Sequence, residues 1–543
     1  MANLNVNLKK SESKYGGFYR LENPKKKPLE KVGQFLIHLI KLPYTLFQIL
    51  VGRLLSYLVI NPLFRKEEKD DALIVQNPKY PDPLFMSSEE MDVINILPKK
   101  HILVRELLNW RNFLVNHTIT VKVLDVLLSW VTHLFPKPRA EKYIDSYLDK
   151  VVSKVEAKIK GDNPKFKPDQ IHFRGLEQLN EVQQERFYQK LQQRLGYDFR
   201  QNRSHLYFYK LQTPDNAILD SVEVRNPKSA NHDIAKRRFI ITAMPRSNNF
   251  VDWLKLYQIY ARELNVTVIA FNYRGIGLSK GIIKSEQDLY DDALAQAQRL
   301  IKLGADPQNI GFMGECLGGN VAAHTAGTLH AEDNLPVKLY DARSFRSITA
   351  IIEQRSRPPK GANPLHPKTW LNWFIHGSVK LILNPLIVLS GWSLNVEKQF
   401  SAIPPHDRDF VVVRSKKDKQ GKRFADDKLV PYNKASIYAF VKEKTKALTA
   451  KKQQGQTLSA TEEEWLQDNP KSHKFYVSEE KYKNARTANG HIVLSHLLVP
   501  TCPNACESVQ PDSRQYSFNF FKRVWPEQEA RSTPLDQKFI SAP

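Results

Sequence analysis

Asn309-Ile310-Gly311-Phe312-Met313-Gly314-Glu315-Cys316-Leu317-Gly318-Gly319-Asn320 carries an apolar run into Gly-x-Cys-x-Gly-Gly, and the helical pattern Val321-Ala322-Ala323-His324 follows at once. A strand that turns this sharply into a helix forces its central residue into strained backbone geometry and lifts that side chain above the sheet edge. Small residues at Gly314 and Gly318 keep the neighbouring backbone from clashing. The side chain put on display is the thiol of Cys316, in a position where serine is usual. A helix N-terminus beneath it favours a thiolate or an oxyanion. A buried cysteine in a glycine-rich turn has the same local composition. The flanking sequence decides for the elbow.

Working outward, Phe239-Ile240-Ile241-Thr242-Ala243 and Val266-Thr267-Val268-Ile269-Ala270-Phe271 are short apolar runs of buried-strand type. Residues 250–264 and 289–303 carry the 3.6-residue apolar spacing of helices between and after them. Strand, helix, strand, helix, strand, elbow is a doubly wound parallel pattern. With the cysteine elbow it resembles the α/β-hydrolase fold. The turn Asn272-Tyr273-Arg274-Gly275-Ile276-Gly277-Leu278-Ser279 resembles the loop after the fourth strand of that fold, and no chemistry is assigned to it.

A cysteine nucleophile needs a base, and the base an orienting acid. Lys474-Phe475-Tyr476-Val477 reads as a last strand, followed by a polar loop closing on Gly490-His491, where the histidine of a triad belongs. Between nucleophile and histidine, the strand Asp409-Phe410-Val411-Val412-Val413-Arg414 leads into a lysine-rich insertion. Asp418 follows the strand closely, whereas Asp427 precedes a Val430-Pro431 helix start. Asp427 is preferred, because charged insertions loop out upstream of a retained helix start; Asp418 is the alternative acid. The oxyanion hole draws on the Leu317 backbone N–H and on Arg246 or Ser247, since Pro245 has no N–H to donate.

The strand-like runs Leu206-Tyr207-Phe208-Tyr209-Lys210-Leu211 and Ile218-Leu219-Asp220-Ser221-Val222-Glu223-Val224 open the sheet as a hairpin. The hydrolase-type domain is therefore placed at 201–525, with Val337-Lys338-Leu339-Tyr340 as the strand after the elbow helix. A helical lid insertion is expected at about 345–405, rich in Trp370, Trp373, Phe374 and Trp392 and in the apolar run 381–389. It either packs on the body or touches an acyl chain. Residues 1–200 are read as an N-terminal α-helical accessory region. Its stretch 32–64 is apolar but broken by Lys41, Pro43, Arg53 and Pro62, and 118–135 is apolar but broken by Lys122 and Asp125. Neither is an uninterrupted run of about 20 apolar residues, so interfacial or packed helices are expected rather than spans.

The chain has 81 Lys and Arg against 57 Asp and Glu, a formal charge of +24, which favours anionic surfaces. Nucleic acid is not expected as a partner, because zinc-finger spacing, basic heptad helices and stacking motifs are all absent. An anionic membrane surface fits better, although lysine-rich solvated faces need no partner. Three cysteines in 543 residues argue against a disulfide-stabilised secreted domain. Residues 1–30 have no apolar core of signal-peptide type. His491, His496, Cys502 and Cys506 form a cramped cluster, and His491 is better used by the triad, so no metal and no cofactor is expected.

From about 205 to 500 the chain resembles the SidB-like family of Legionella type IV secretion effectors and related chlamydial proteins. The residues carrying the likeness are the Asn272-to-Ser279 turn, the Gly314-to-Gly319 elbow, Asp427 before Val430-Pro431, and Gly490-His491. The resemblance implies a lipase- or esterase-like α/β-hydrolase delivered into a host cell, cytoplasmic or peripheral on host membranes, with the polar tail 526–543 as a secretion signal. Cysteine at 316 departs from the commoner serine and turns the expectation toward thioester chemistry or lost activity. Two functions follow: an acyl hydrolase (lipase, esterase or thioesterase-like) using Cys316, His491 and Asp427 on a lipid or acylated substrate, or a catalytically inactive membrane-binding scaffold.

Overall fold

The computed structural model describes residues 6–13, 16–23, 44, 92–95, 140–160, 171–176, 179, 181–199, 206–226, 233–246, 248–357, 367–415, 430, 434–467, 474–477 and 513–526. The chain opens with an antiparallel hairpin, β1 (Asn7–Ser13) and β2 (Gly16–Glu22). A separate parallel pair follows, β3 (Asp92–Asn95) with β4 (Ile171–Arg174), and between them in sequence lies α1 (Ala140–Lys160). After β4 comes α2 (Glu181–Leu195). This small unit has its own core, in which Leu148, Val152 and Val155 of α1 meet Phe173 of β4 and Phe187 and Leu191 of α2.

The main sheet then builds from β5 (Leu206–Gln212) and β6 (Ile218–Val224), an antiparallel hairpin. Next come β7 (Phe239–Ala243), α3 (Leu254–Glu263), β8 (Thr267–Phe271) and α4 (Glu286–Lys302). β9 (Ile310–Glu315) runs into α5 (Leu317–Asp333), and β10 (Lys338–Ala342) follows. Between β10 and β11 an insertion holds α6 (Ile348–Ser356), α7 (Pro367–Ser378), a π-helical turn at Val379–Leu383, α8 (Asn384–Leu389) and α9 (Glu397–Ala402). β11 (Arg408–Ser415), α10 (Ile437–Gln453), α11 (Ala460–Gln467), β12 (Lys474–Val477) and α12 (Ser513–Val524) complete the described chain.

Among the described residues ten strands form one sheet in the order β1-β2-β5-β6-β8-β7-β9-β10-β11-β12. From β8 to β12 neighbouring strands are parallel, and β6 joins β8 antiparallel. β7 and β8 are buried at every position, as a strand covered by helices on both faces must be. β5 to β12 reproduce the α/β-hydrolase strand order, with the crossing between β8 and β7. Parallel strands share one carboxyl edge, so Cys316 and the segments leaving β11 and β12 all start from the same side of the sheet.

Two expectations are corrected. The first 200 residues are not an all-helical accessory region, and the sheet does not begin at 201. β2 pairs parallel with β5, Gly17 opposite Tyr209 and Arg20 opposite Gln212, so the N-terminal hairpin extends the main sheet. Asn-Leu-Lys-Lys-Ser-Glu-Ser is too polar to read as a strand because its side chains stand at a sheet margin rather than in the core. What fixes it is aromatic and cationic: Tyr19 meets Tyr209 edge-on at 5.5 Å, and the Arg299 guanidinium lies 4.8 Å over Tyr19 and 4.1 Å over Tyr209 while pairing with Glu223 at 2.8 Å. The stretches 32–64, apart from Tyr44, and 118–135 lie outside the described residues, as does the tail 527–543.

The insertion is divided in its packing. Trp392, Leu394, Val396 and Phe400 are buried in the main core, and Trp392 Nε1 donates to the Lys284 carbonyl at 3.0 Å. α9 crosses α5 so closely that a methyl on Gly327 would overlap the Gln399 backbone. Trp370, Trp373 and Phe374, by contrast, face solvent.

The turn after β8 is a structural knot. Arg274 is buried and pairs with Asp292 at 2.7 Å, Asp288 at 2.9 Å and Asp215 at 2.5 Å. Burial alone would lower its pKa, but these carboxylates hold it well above the ordinary arginine value. Gly275 and Gly277 adopt φ of 74° and 55°, which lets the chain fold around the guanidinium. Arg274→Met should therefore leave several buried carboxylates uncompensated and cost about 3–5 kcal/mol of stability. Urea unfolding would read this as a lowered midpoint, and an unchanged midpoint would contradict the assignment.

Candidate active site

Cys316 sits between β9 and α5 with φ 54° and ψ −113°, a conformation that side-chain-bearing residues rarely hold. It is half-buried and not part of a disulfide. Its own N–H donates to the Ala342 carbonyl at 3.0 Å, and its carbonyl accepts from Asn320 at 3.2 Å, the first bond of α5. These bonds clamp the residue on both sides.

The glycines around it are required by the space left to them. A methyl on Gly314 would overlap the Gly318 carbonyl group, one on Gly318 would overlap the Ala243 carbonyl oxygen, and one on Gly319 would strike Asp341 Oδ1. Side-chain-free backbone therefore lets β7, β9, β10 and α5 converge on the thiol. Asn320 extends the clamp, its amide donating to the carbonyls of Phe345 at 3.1 Å and Leu394 at 2.7 Å.

Leu317 is the first residue of α5, where N–H groups of the opening turn lack intrahelical acceptors and point toward an anion. Arg246 is described and solvent-facing, in a turn whose Pro245 carbonyl accepts from Asn248 N–H at 3.4 Å. Ser247 lies outside the described residues. Met244, absent from the sequence reading, follows Ala243 directly where the β7 loop abuts Gly318. Its carbonyl accepts from the Tyr273 hydroxyl at 3.1 Å, which holds that loop in place. The glycine of the elbow was the available clue: whatever it packs against borders the turn that carries Cys316.

His491, Asp427 and Asp418 lie outside the described residues. Both aspartates fall between Ser415, the end of β11, and Val430, which is buried in the main core. Beyond Val430 the chain returns to the elbow neighbourhood, with Arg346 N–H donating to the Ala435 carbonyl at 2.8 Å and Ser436 capping α10 through Ala439 N–H. His491 comes after β12 in sequence. His324, on α5, is no substitute base. It stacks on Tyr290 at 3.5 Å, and burial pushes its pKa down to about 3, too weak to take a thiol proton. Among the described residues no group of histidine, cysteine or acidic side chains could hold a metal ion; His496, Cys502 and Cys506 lie outside them.

Two buried charges border the elbow and were not anticipated. Glu315, directly before Cys316, pairs with Arg343 at 2.8 Å. Asp341, on β10 opposite Gly314, accepts from the Ser344 hydroxyl at 2.5 Å through Oδ2, while its Oδ1 faces Gly319. Burial pushes the Asp341 carboxyl up to about 7. Beside these, on the face of the sheet away from α5, a small, mostly apolar cleft opens between the ends of β7, β9 and β10 and the helices α3 and α12. Trp253, Leu256, Tyr257, Tyr260, Met313 and Ser517 are among its lining residues.

Strand order and elbow together define an α/β-hydrolase-type fold with Cys316 at the elbow. No family model matches the chain. An uncharacterized protein of Acanthamoeba polyphaga mimivirus is 34% identical over 144 residues, a match covering 26% of this chain and 44% of that protein, less than half its length. Solved structures similar to the chain include an alpha-beta hydrolase from Vibrio vulnificus (18% identity, TM-score 0.29, 44% of this chain and 70% of the other). A Pyrococcus furiosus esterase is 13% identical with a TM-score of 0.32, covering 59% of this chain and 91% of the other.

The pKa of Asp341 has a consequence for stability. Its carboxyl ionises near 3.8 when unfolded and near 7 when folded, so stability is greatest at low pH and is lost as pH rises from about 4 to 7. The full effect is about 4 kcal/mol, about three pKa units at about 1.4 kcal/mol each. Asp341→Asn should flatten this decline, so that the variant gains in thermal midpoint relative to the parent at pH 8 but not at pH 4. Parallel pH dependence in the two proteins would show that Asp341 ionises normally.

Proposed function

We propose that this chain is a cysteine-dependent acyl hydrolase acting on a lipid or acylated substrate, with Cys316 as nucleophile, His491 as base and Asp427 as the acid that orients it. One observation carries the reading: the strained backbone of Cys316 at a strand-to-helix elbow, held by glycines that tolerate no side chain. Such strain persists where it serves a site. The apolar cleft beside the elbow supports an acyl substrate, since its walls offer few polar groups.

In this mechanism His491 takes the Cys316 proton as sulfur bonds to the acyl carbonyl carbon. The carbonyl oxygen becomes an oxyanion, stabilised by the backbone N–H of Leu317 and by one from the loop after β7, that of Arg246 or Ser247. The bond to the leaving alcohol or thiol then breaks, and His491 returns the proton to it. A water attacks the remaining thioester, its proton passing to His491, and the carboxylate product leaves with the thiol regenerated. The resemblance to SidB-type effectors read from the sequence is the ground for proposing delivery into a host cell and action there, in the cytoplasm or on membranes.

Cys316→Ala should abolish hydrolysis across a panel of acyl esters and thioesters, while Cys316→Ser retains a small fraction, because hydroxyl is the weaker nucleophile at neutral pH. Undiminished turnover in the alanine variant would remove the assignment, and a parent inert on the whole panel would favour the scaffold. For the acid, Asp427→Asn should lower kcat by roughly 10⁴-fold with the fold intact. Loss in Asp418→Asn instead, with Asp427→Asn active, would transfer the role.

A further inference from the structure

We propose that the helix Thr369–Leu389 seats this protein on an anionic lipid bilayer. The segment comprises most of α7, the π-helical turn and α8, and its 21 residues extend about 30 Å. Only 17% of it is buried, so it is not a core helix, and it lies far from the chain's N-terminus. Thirteen large apolar side chains are exposed among the described residues, and eleven of them are on this helix. Leu381 is 80% exposed, and Trp370 and Phe374 are each 72% exposed. An apolar surface this concentrated marks a docking face.

One side of the helix is already occupied. Thr369, His376, Val379 and Ile387 are buried, His376 Nδ1 lies 2.8 Å from the Ser356 hydroxyl, and Lys380 pairs with Glu353 of α6 at 3.4 Å. The helix is thus fastened along the body, and the opposite side is left for a partner.

Three observations point to lipid rather than protein as that partner. Residues 367–389 contain two lysines and not one carboxylate, in a chain of formal charge +24, which matches an anionic headgroup layer. The rings of Trp370, Trp373 and Phe374 cluster at one end, with aliphatic Leu381, Ile382 and Leu386 toward the other, a composition suited to the headgroup–acyl boundary. The third is continuity: the Tyr44 hydroxyl donates to the Leu389 carbonyl at 2.9 Å. Tyr44 falls within the apolar stretch 32–64 of the sequence, so one residue of the segment best suited to an interface meets this helix at its C-terminal end. The proposal is independent of whether Cys316 turns over substrate.

The test uses the full chain with sonicated vesicles of phosphatidylcholine alone or mixed with phosphatidylserine. The protein should pellet with the mixed vesicles, more weakly at raised salt, and its tryptophan emission should be quenched by lipids brominated on the acyl chain. Phe374→Glu combined with Leu381→Glu alters only exposed positions. It should leave the thermal unfolding midpoint unchanged and weaken vesicle binding about tenfold or more. Trp370→Phe with Trp373→Phe should remove most of the quenching while binding persists. Binding unaffected by the paired glutamates would place the contact elsewhere, on the 32–64 stretch for example, and overturn the proposal. So would a parent that ignores vesicles yet dimerises in lipid-free solution and becomes monomeric on the same substitutions, since the occupant would then be a second copy.

Discussion

The left-handed backbone of Cys316 can persist only because Gly314, Gly318 and Gly319 have nothing where other residues carry a Cβ. A residue held there costs about 1–3 kcal/mol in strain. The surroundings over-determine it: Gly318 lies against the β7 carbonyl of Ala243, Gly319 against Asp341 of β10, and the Ala342 carbonyl takes the Cys316 N–H. Three strands and one helix are thereby fixed relative to one sulfur atom. The rest of the domain is arranged around that fixed point, with every parallel strand ending on its side of the sheet.

How legible this was from sequence depends on which faces are covered. β7 and β8 are apolar at nearly every position because helices cover both sides, and such runs stand out against charged flanks. The elbow was readable because backbone crowding leaves a glycine signature. β1 and β2 were not, since a marginal strand can be polar, and its partner β5 is remote in sequence. Asp341 and Met244 gave no local sign. A single carboxyl within an apolar strand, or a methionine after one, acquires its role only when another segment packs upon it. The choice between Asp418 and Asp427 rests on sequence alone, because a lysine-rich insertion separates two cues that usually fall on one residue.

Buried charge is the second organising element. Asp220 of β6 receives Arg174 of β4 at 2.6 Å and Lys210 of β5 at 2.8 Å, with Asp220 and Arg174 almost wholly enclosed. The Arg174 pair ties the small N-terminal unit to the hydrolase-type sheet. Burial would raise the Asp220 pKa, but Arg174 and Lys210 hold it below the usual carboxylate range. A buried pair of this kind adds little net stability over apolar packing, yet it penalises every misplaced docking, because either partner alone would be a stranded charge.

The parallel pairing of β2 with β5 also sets an order of events during synthesis. Gly17 cannot find Tyr209 until roughly 190 further residues have been made, and closing so long a loop delays the contact in any refolding chain as well. Until then the outer rim of β5 presents unsatisfied amides and carbonyls to whatever extended segment is nearby. The hairpin at the start of the chain is thus a late-arriving cover strip for the sheet. A chain cut short at the N-terminus would keep Cys316 and its elbow but leave that rim open, and its characteristic failure would be edge-to-edge aggregation rather than loss of the hydrolase-type fold.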